Sequence, residues 1–141
     1  MIIKQLSVFL ENESGRLSEV LDLLAKNKIN ISAIALADTE EYGLLRMIVS
    51  DYNKAVSLLK EQHFTVNLTD VISFFMPNNP GSLAKALDYL SVQGVGIEYI
   101  YAFNMGEKAM AVLRTDDSEK AIEILKAHKL ELIRANELYN F

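Results

Sequence analysis

The chain contains no cysteine, and this absence removes several kinds of site at once. None of the 141 residues is a cysteine, so disulfide bonds, thiolate metal centres and cysteine nucleophiles are excluded. A protein without disulfide bonds suits a reducing compartment. We therefore predict a cytoplasmic protein.

Basic clusters and long apolar runs are missing as well. The 14 Lys and Arg residues face 19 Asp and Glu residues, which gives a net charge of -5. This balance argues against a nucleic-acid-binding protein that neutralises phosphates. No stretch approaches the roughly 20 apolar residues of a membrane-spanning helix. The opening MIIKQLSVFL also lacks a small-residue cleavage site, so we expect neither a signal peptide nor a membrane segment.

The chain contains the same pattern twice, 66 residues apart. NESGRLSEVLDLLAKNKINI (12–31) and NNPGSLAKALDYLSVQGVGI (78–97) align without gaps, and the same shift holds along the chain. The matched positions include Phe9 with Phe75, Gly15 with Gly81, Asp51 with Asp117, and Lys54-Ala55 with Lys120-Ala121. An internal repeat decides the fold before other signals. We predict two domains, residues 1–70 and 71–141, joined near Asp70 without a Pro/Gly/Ser linker.

Each copy predicts the element order strand, helix, strand, strand, helix, strand. Apolar residues recur at helical spacing from Leu17 to Leu24 and again from Leu83 to Leu90. Runs such as IIKQLSVFL, VISFFM and the final LELIRANEL (130–138) predict strands. The order indicates an α+β fold of two ferredoxin-like βαββαβ repeats. We predict that they pack side by side as one eight-stranded antiparallel sheet with helices on one face.

The turn before the first helix of each copy is the first candidate site. In the second copy Asn79 predicts an N-cap and Pro80 the first helical position, while Gly81 leaves the neighbouring amides open to approach. A helix N-terminus can hold a carboxylate or phosphate through its unpaired amides. The side chains of Asn12 and Asn78 both donate and accept hydrogen bonds, as a zwitterion requires. A purely structural turn is the alternative.

The polar residues of the second helices have structural interpretations. Asp116 with Glu119 predicts a capping box at the start of one of them. The two histidines, His63 and His128, lie at the ends of the matching second helices with no metal-ligand or triad spacing around them. We therefore expect surface residues there and no metal site.

The two repeated segments resemble the signature of ACT domains. In that family an acidic or Asn residue, then x-P-G-x-L, opens the first helix, and a Gly-Ile/Val-Asn-Ile phrase opens the second strand. The second copy has the whole Pro-Gly-x-Leu turn but Gly96 where Asn is usual. The first copy has Asn30-Ile31 but lacks the Pro. The resemblance covers essentially the whole chain.

The resemblance implies a free-standing tandem ACT protein. ACT domains are regulatory modules that bind small ligands, most often amino acids, and paired domains commonly place the ligand at their interface. It thus implies an amino-acid-binding regulator, expected to be a homodimer acting on an unidentified enzyme, with no catalytic activity and no cofactor.

The family's binding elements map onto the first turn and the start of the second strand of each copy. The implied ligand-binding residues are Asn12, Glu13, Ser14, Gly15, Arg16, Leu17, Asn30, Ile31, Ser32 and Ala33, and Asn78, Asn79, Pro80, Gly81, Ser82, Leu83, Gly96, Ile97, Glu98 and Tyr99. Because Gly96 lacks the amide side chain of Asn30, the two sites need not bind equally.

Three other functions stay open at this point. The first is a ligand-free interaction or oligomerisation module. The second is a small hydrolase of the acylphosphatase kind that uses Arg16, although its loop lacks that family's glycine-rich phosphate cradle. The third is RNA binding by the aromatic stripe Tyr99, Tyr101 and Phe103, which the net charge and the third-strand sequences do not support. The stripe could equally pack against another sheet.

Overall fold

The computed structural model of the chain describes residues 1–11, 13–38 and 41–140. In these ranges the chain forms β1 (Ile3–Glu11), α1 (Arg16–Lys26), β2 (Ile31–Asp38), β3 (Tyr42–Val49), α2 (Tyr52–Glu61), β4 (Thr65–Pro77), α3 (Ser82–Ser91), β5 (Ile97–Met105), β6 (Lys108–Thr115), α4 (Ser118–Ala127), β7 (Glu131–Leu132) and α5 (Ala135–Tyr139). The helices and strands follow the predicted order in both copies.

The chain divides into two compact units that follow the repeat. The first-repeat unit is Lys4–Thr69 together with the segment that begins at Asn136, and the second-repeat unit is Asp70–Ala135 together with Met1–Ile3. The predicted domain boundary, 1–70 and 71–141, stays a prediction.

Each unit contains a βαββαβ repeat with antiparallel strand pairs. In the first-repeat unit the strands follow the order β2-β3-β1-β4, and in the second-repeat unit the order β7-β4-β6-β5. The β1–β3, β2–β3, β4–β6, β4–β7 and β5–β6 pairs are antiparallel. The predicted α+β class with ferredoxin-like repeats is confirmed.

The described ranges hold seven strands instead of the predicted eight. The fourth strand of the first copy and the first strand of the second copy form one 13-residue strand, β4. No Gly or Pro interrupts FTVNLTDVISFFM, so nothing turns the chain and the extended backbone continues through Asp70. The side-by-side arrangement of the two repeats stays a prediction.

The strand predicted over LELIRANEL is wrong in its second half. β7 covers only Glu131–Leu132, and a last sheet hydrogen bond runs from the Ile133 N–H to the Ser73 carbonyl at 2.9 Å. From Ala135 the chain is helical, which agrees with the helix preference of its Ala, Glu and Leu. The Tyr139 hydroxyl in α5 accepts a 2.8 Å hydrogen bond from the Lys4 N–H.

Each unit has its own apolar core between sheet and helices. In the first-repeat unit Leu6, Val8, Leu24, Leu45 and Leu59 are fully buried. In the second-repeat unit the fully buried residues include Ile72, Phe74, Leu90, Leu113 and Leu125. The predicted apolar faces of the first helices are confirmed at Val20, Leu24, Ala86 and Leu90, which are all buried.

The repeated Asp residues cap the second helices. The Asp51 carboxylate accepts a 3.0 Å hydrogen bond from the Lys54 N–H. The Asp117 carboxylate accepts the equivalent bond from the Lys120 N–H at 3.1 Å. Such a cap satisfies an amide that the helix itself leaves unpaired. The sequence identity of these positions therefore reflects a structural requirement.

The four long helices all end next to a residue with positive φ. These residues are Lys28 (φ 58°), His63 (φ 67°), Gly94 (φ 78°) and Lys129 (φ 60°). The following residue donates back to the last turn, as Ile29 does to the Leu24 carbonyl at 2.9 Å, which is the Schellman pattern. His63 and the C-cap residue His128 are both exposed at helix ends, as predicted.

These helix ends generate a stability prediction. Lys28 and Gly94 occupy matching positions, and the left-handed region is unfavourable for a residue with a Cβ. We expect Lys28→Gly to raise the free energy of unfolding by about 0.5–1 kcal/mol, and Gly94→Lys to lower it by a similar amount. Urea unfolding measures both. Ala25→Gly inside α1 is the control and should cost about 1 kcal/mol. A loss of stability in Lys28→Gly would contradict the argument.

Candidate functional site

The two candidate turns have the same backbone geometry. Gly15 has φ 90° and ψ -8°, and Gly81 has φ 87° and ψ -10°. The Ser82 N–H donates to the Asn79 carbonyl at 3.1 Å, and the Arg16 N–H donates to the Glu13 carbonyl at 3.4 Å. Both are type II β-turns with glycine at the third position, where the turn requires positive φ.

The roles predicted for Asn79 and Pro80 are wrong. The N-cap residue is Gly81, and α3 begins at Ser82, so Asn79 and Pro80 are the first two residues of the turn. Proline suits this second turn position because its fixed φ matches a type II turn. As glycines, the N-cap residues of α1 and α3 make no side-chain hydrogen bond to the amides that follow. Within the described residues, amides at the start of both helices are therefore available to another acceptor.

The space beside both glycines is open. A Cβ built on Gly15 or Gly81 meets no atom of the described residues within 4 Å, apart from its own chain neighbours. Glycine is required there by the backbone torsion and not by a lack of room. A ligand can approach the backbone of either turn, and a larger side chain would project into the same space.

The asparagine beside the second turn is hydrogen-bonded to the protein. Its counterpart in the first copy, Asn12, lies outside the described residues. Asn78 is exposed, and its side-chain Nδ2 donates to the Gly106 carbonyl at 3.0 Å, while its N–H donates to the Glu107 carbonyl at 2.9 Å. Asn78 thus holds the turn against the β5–β6 hairpin, and the oxygen of its side chain makes no protein hydrogen bond in the described part of the chain.

Arg16 distinguishes the first turn from the second. Its guanidinium forms a 2.8 Å ion pair with Glu19 and lies 4.4 Å from the centre of the Phe64 ring. Its Nε is buried without a hydrogen-bond partner among the described atoms. The matching residue in the second copy is Ser82, so the two turns present different chemistry to a ligand.

A small cleft adjoins the first turn. It has a volume of about 210 Å³ and is lined by Glu13, Arg16 and Leu17 together with Leu10, Glu11, Leu36 and Gly43. The turn therefore lies beside the end of β2 and the start of β3. Ser14 of the same turn is exposed, and Leu17 and Leu83 of the two turns pack against the cores.

Just before the second strand of each copy, a backbone N–H donates a hydrogen bond to a side chain, and the acceptor differs between the copies. The Asn30 N–H donates to the Ser50 hydroxyl at 2.9 Å. The Gly96 N–H donates to the Asp116 carboxylate at 3.0 Å, although Asp116 was predicted to form a capping box with Glu119. A Cβ on Gly96 would lie 2.9 Å from Asp116 Oδ2. A residue larger than glycine at position 96 would therefore displace the Asp116 side chain.

Most of the other residues at these strand starts already pack against a core or form an ion pair within the protein. Ile31 and Ile97 pack against the two cores, and Ala33 is 5% exposed. Glu98 forms an exposed 3.2 Å ion pair with Arg114, the residue opposite Tyr99 in the strand pair. The Ser32 hydroxyl is buried without a hydrogen-bond partner among the described atoms.

Within one repeat, the structure does not bring the two predicted binding elements together. The first turn adjoins Leu36 near the end of β2, and Asn30 precedes its start. Eight residues of strand at about 3.3 Å each separate the two places by more than roughly 20 Å. The second repeat has the same arrangement, because Asn78 bonds to the β5–β6 hairpin while Gly96 precedes β5. A ligand that contacts both elements must bridge two repeats.

Ser50 and Asp116 are site neighbours that the sequence reasoning missed. They match under the 66-residue shift, as do Asn30 and Gly96. A comparison of the two copies could have predicted this contact. Asn30 is replaced by Gly96, which has no side chain, while Ser50 is replaced by the larger Asp116.

Within the described ranges, no group of three or more His, Asp or Glu side chains is placed to hold a metal ion. None of the helices described has the length and apolar character that crossing a membrane requires.

The Gly96–Asp116 contact generates a double-mutant prediction. Gly96→Asn displaces the exposed Asp116 side chain and breaks its 3.0 Å hydrogen bond to the N–H of residue 96, and we expect it to lower the free energy of unfolding by about 0.5–1.5 kcal/mol. Adding Asp116→Ser recreates the first-repeat pair and should recover most of that loss, as measured by urea unfolding. Asn30→Gly is the matched control, since it creates no clash. Equal stability of the single and double variants would show that the contact does not matter.

Comparison with known proteins places these repeats in a family. The model of the ACT domain pair matches residues 1–141. The acetolactate synthase small subunit of Buchnera aphidicola is 32% identical over 88 residues, which is 62% of this chain and 56% of the relative. The same subunit from Haemophilus influenzae is 31% identical over 91 residues, 64% of this chain and 56% of the relative. The chain thus spans little more than half the length of these relatives.

Solved structures agree with the observed fold. A protein from Bacteroides thetaiotaomicron is 50% identical and has a TM-score of 0.96, covering 100% of this chain and 98% of its own. The ligand-free regulatory subunit of aspartate kinase from Thermus thermophilus is 16% identical with a TM-score of 0.67, covering 88% and 91%; this likeness concerns the fold alone. Because the family model covers both repeats, the chain belongs to the ACT domain pair family.

Proposed function

We propose that the protein is a regulatory protein that binds an amino acid or a related metabolite at its turns and has no catalytic activity. The observation that carries this proposal is the pair of turns. Their glycine torsions agree within 3° in φ and 2° in ψ, and among the described residues the space beside both glycines is open apart from their chain neighbours. A purely structural turn requires the torsion, but it does not require open space beside the glycine in both copies.

The turns offer the two kinds of contact that a zwitterion needs. Unpaired amides and the positive end of the helix dipole suit the ligand carboxylate. Carbonyl groups, and in the second copy the side-chain oxygen of Asn78, suit the ammonium group. The hydrolase alternative is not favoured, because the Arg16 guanidinium is already paired with Glu19 and lies on Phe64.

The relatives support a partner enzyme. Two curated relatives are small subunits of acetolactate synthase, a name that implies a larger enzyme. We infer that this chain acts on an enzyme by binding it more tightly in one ligand state than in the other. The cytoplasmic location predicted from the composition is part of the same proposal.

The complete ligand site requires a second copy of the chain in this proposal. The turn and the strand start lie at opposite ends of β2, so one repeat supplies only half of the contacts. If two β2 strands from different copies pair antiparallel, the start of one lies beside the end of the other. The turn of one copy then meets the strand start of its partner, and the homodimer gains a site that neither chain has alone.

The β2 edge has the properties that such pairing needs. Among the described strands β2 pairs only with β3, and no charged residue occurs from Ile31 to Ala37. Ile34 and Leu36 on this strand are 48% and 51% exposed. A long edge strand without charge or proline is prone to pair with another strand. The same edge also favours the second candidate function, an oligomerisation module whose turns bind nothing.

A melting-temperature screen separates the two functions. We expect one or two related amino acids at millimolar concentration to raise the melting temperature, because a ligand at 100 times its Kd stabilises the folded state by about 2.7 kcal/mol. Gly15→Val and Gly81→Val should reduce or remove the shift. Gly94 also has positive φ but lies outside the two turns, so Gly94→Val should leave the ligand-induced shift unchanged. If no amino acid stabilises the protein, the oligomerisation module is the better description.

The dimer has its own test. We expect Ile34→Glu to shift sedimentation from dimer to monomer, because it places a charge in the proposed strand pair, and to weaken ligand binding in parallel, although Ile34 does not line the cleft at the first turn. Val92→Glu is the matched control, since Val92 is 78% exposed at the end of α3. An Ile34→Glu protein that stays dimeric would place the interface elsewhere.

A further inference from the structure

We propose that a cleft beside α3 in the second-repeat unit binds a small carboxylate with a short apolar tail. The cleft has a volume of about 260 Å³, just below the roughly 300–1,000 Å³ of pockets for drug-sized ligands. We name it the α3 cleft; the side chains used below are Ser82, Lys85, Tyr89 and His128 on its polar side and Met76, Ala86 and Leu130 on its apolar side. It shares Ser82 with the second turn but does not depend on the proposed turn site.

The polar side of the α3 cleft carries no negative charge. Its two chargeable side chains are those of Lys85 and His128, and no Asp or Glu lines it, although the chain has 19 acidic against 14 basic residues. Ser82, Lys85 and Tyr89 follow each other at spacings of three and four residues, so they share one face of α3. An anionic ligand would meet only cationic or neutral groups in this cleft.

The polar side chains of this cleft have no hydrogen-bonding partners within the described residues. The side chains of Ser82, Lys85, Tyr89 and His128 make no hydrogen bond or ion pair there, and the Tyr89 and His128 rings contact each other by stacking alone. An anion can therefore bind without breaking an internal interaction. In contrast, Arg16 in the first copy already has Glu19 as its partner.

A stacked aromatic pair gives the cleft a fixed wall. The rings of Tyr89 and His128 lie parallel, with centres 3.6 Å apart and 4° between their planes. Each ring restricts the rotation of the other, so less side-chain entropy is lost when a ligand binds. Met76 and Ala86 are buried and Leu130 is half-buried, which provides apolar surface for a short hydrocarbon tail.

The equivalent cleft of the first repeat has no excess of positive charge. It lies along α1, measures about 440 Å³ and is lined by two acidic residues, Glu19 and Asp22, and two basic residues, Arg16 and Lys26. Lys85 takes the position of Glu19 in the second copy. The repeated fold thus forms a cleft twice, and of these two only the second has a lining without acidic side chains. An apolar floor beside one cation favours a carboxylate with a tail over inorganic phosphate.

Isovalerate and its uncharged analogue isovaleramide test this proposal. In amide NMR titrations of the full chain, we expect isovalerate to shift the signals of residues 82–89 and 128–130, and isovaleramide to leave them unchanged. Lys85→Glu, which places the first-repeat charge in the cleft, should weaken isovalerate binding by about tenfold or more. Lys126→Glu makes the same charge change on α4 outside the cleft lining and should leave binding intact.

Four outcomes would overturn the proposal. The first is no shift with isovalerate at tens of millimolar. The second is equal binding of isovaleramide, which would indicate an apolar groove only. The third is equal weakening by Lys85→Glu and Lys126→Glu, which would indicate general attraction to positive charge. The fourth is stronger binding of inorganic phosphate at the same signals. Lys85→Met, which removes the charge without introducing a new one, keeps the test valid if Lys85→Glu fails to fold.

Discussion

The positive φ of Gly15 and Gly81 is the constraint on which the rest of the structure depends. Each glycine turns the chain from a strand into a helix within four residues, and any other residue would adopt this torsion at a cost. The turn sets the direction in which α1 and α3 leave the sheet, and hence which of their faces is buried in the core. As the N-cap residue, glycine also has no side chain with which to cap the helix that follows. The same torsion that directs the fold therefore exposes the amides that could bind a ligand.

The two repeats keep the interactions that determine the backbone and differ in the groups that face solvent. Asp51 and Asp117 cap equivalent helices with nearly equal bond lengths, because an uncapped amide at that position would destabilise either copy. Where a structural position does change, its neighbour changes with it, as the contact of Gly96 with Asp116 shows. Glu19 and Lys85 lie at the surface, and Arg16, the ion-pair partner of Glu19, is replaced by Ser82 in the second copy. The charges of this pair could therefore diverge without affecting the core. The duplication thus maintains two stable scaffolds on which the binding surfaces can differ.

The sequence was sufficient for the element order and much of the core, because hydrophobic spacing and a repeat in constant register both report on burial. It was insufficient where neighbouring residues could perform the same role. Asp116 and Asp117 are both good capping residues, and only the hydrogen bond to Gly96 decides which of them caps α4. Likewise, Pro80 suits the first turn of a helix as well as the second position of a type II turn, and the torsion of Gly81 decides between them. The helix at Ala135–Tyr139 follows a strand-like run with no glycine or proline to mark the change. The predicted site residues stay a prediction, and the separation of the two binding elements along β2 depends on strand direction and length, which a motif does not contain.

That separation has a consequence for how a ligand could regulate a partner. If the turn and the strand start belonged to one cavity within a repeat, a bound amino acid would stabilise that repeat and change little outside it. Because they lie at opposite ends of a strand, a ligand that uses both must join two repeats. Its binding free energy then favours one arrangement of repeats over another, and a partner that distinguishes those arrangements responds to the ligand. The shift can be no larger than the difference between the ligand's affinities for the two arrangements. Regulation in this proposal thus follows from each turn having only half of its contacts within its own repeat.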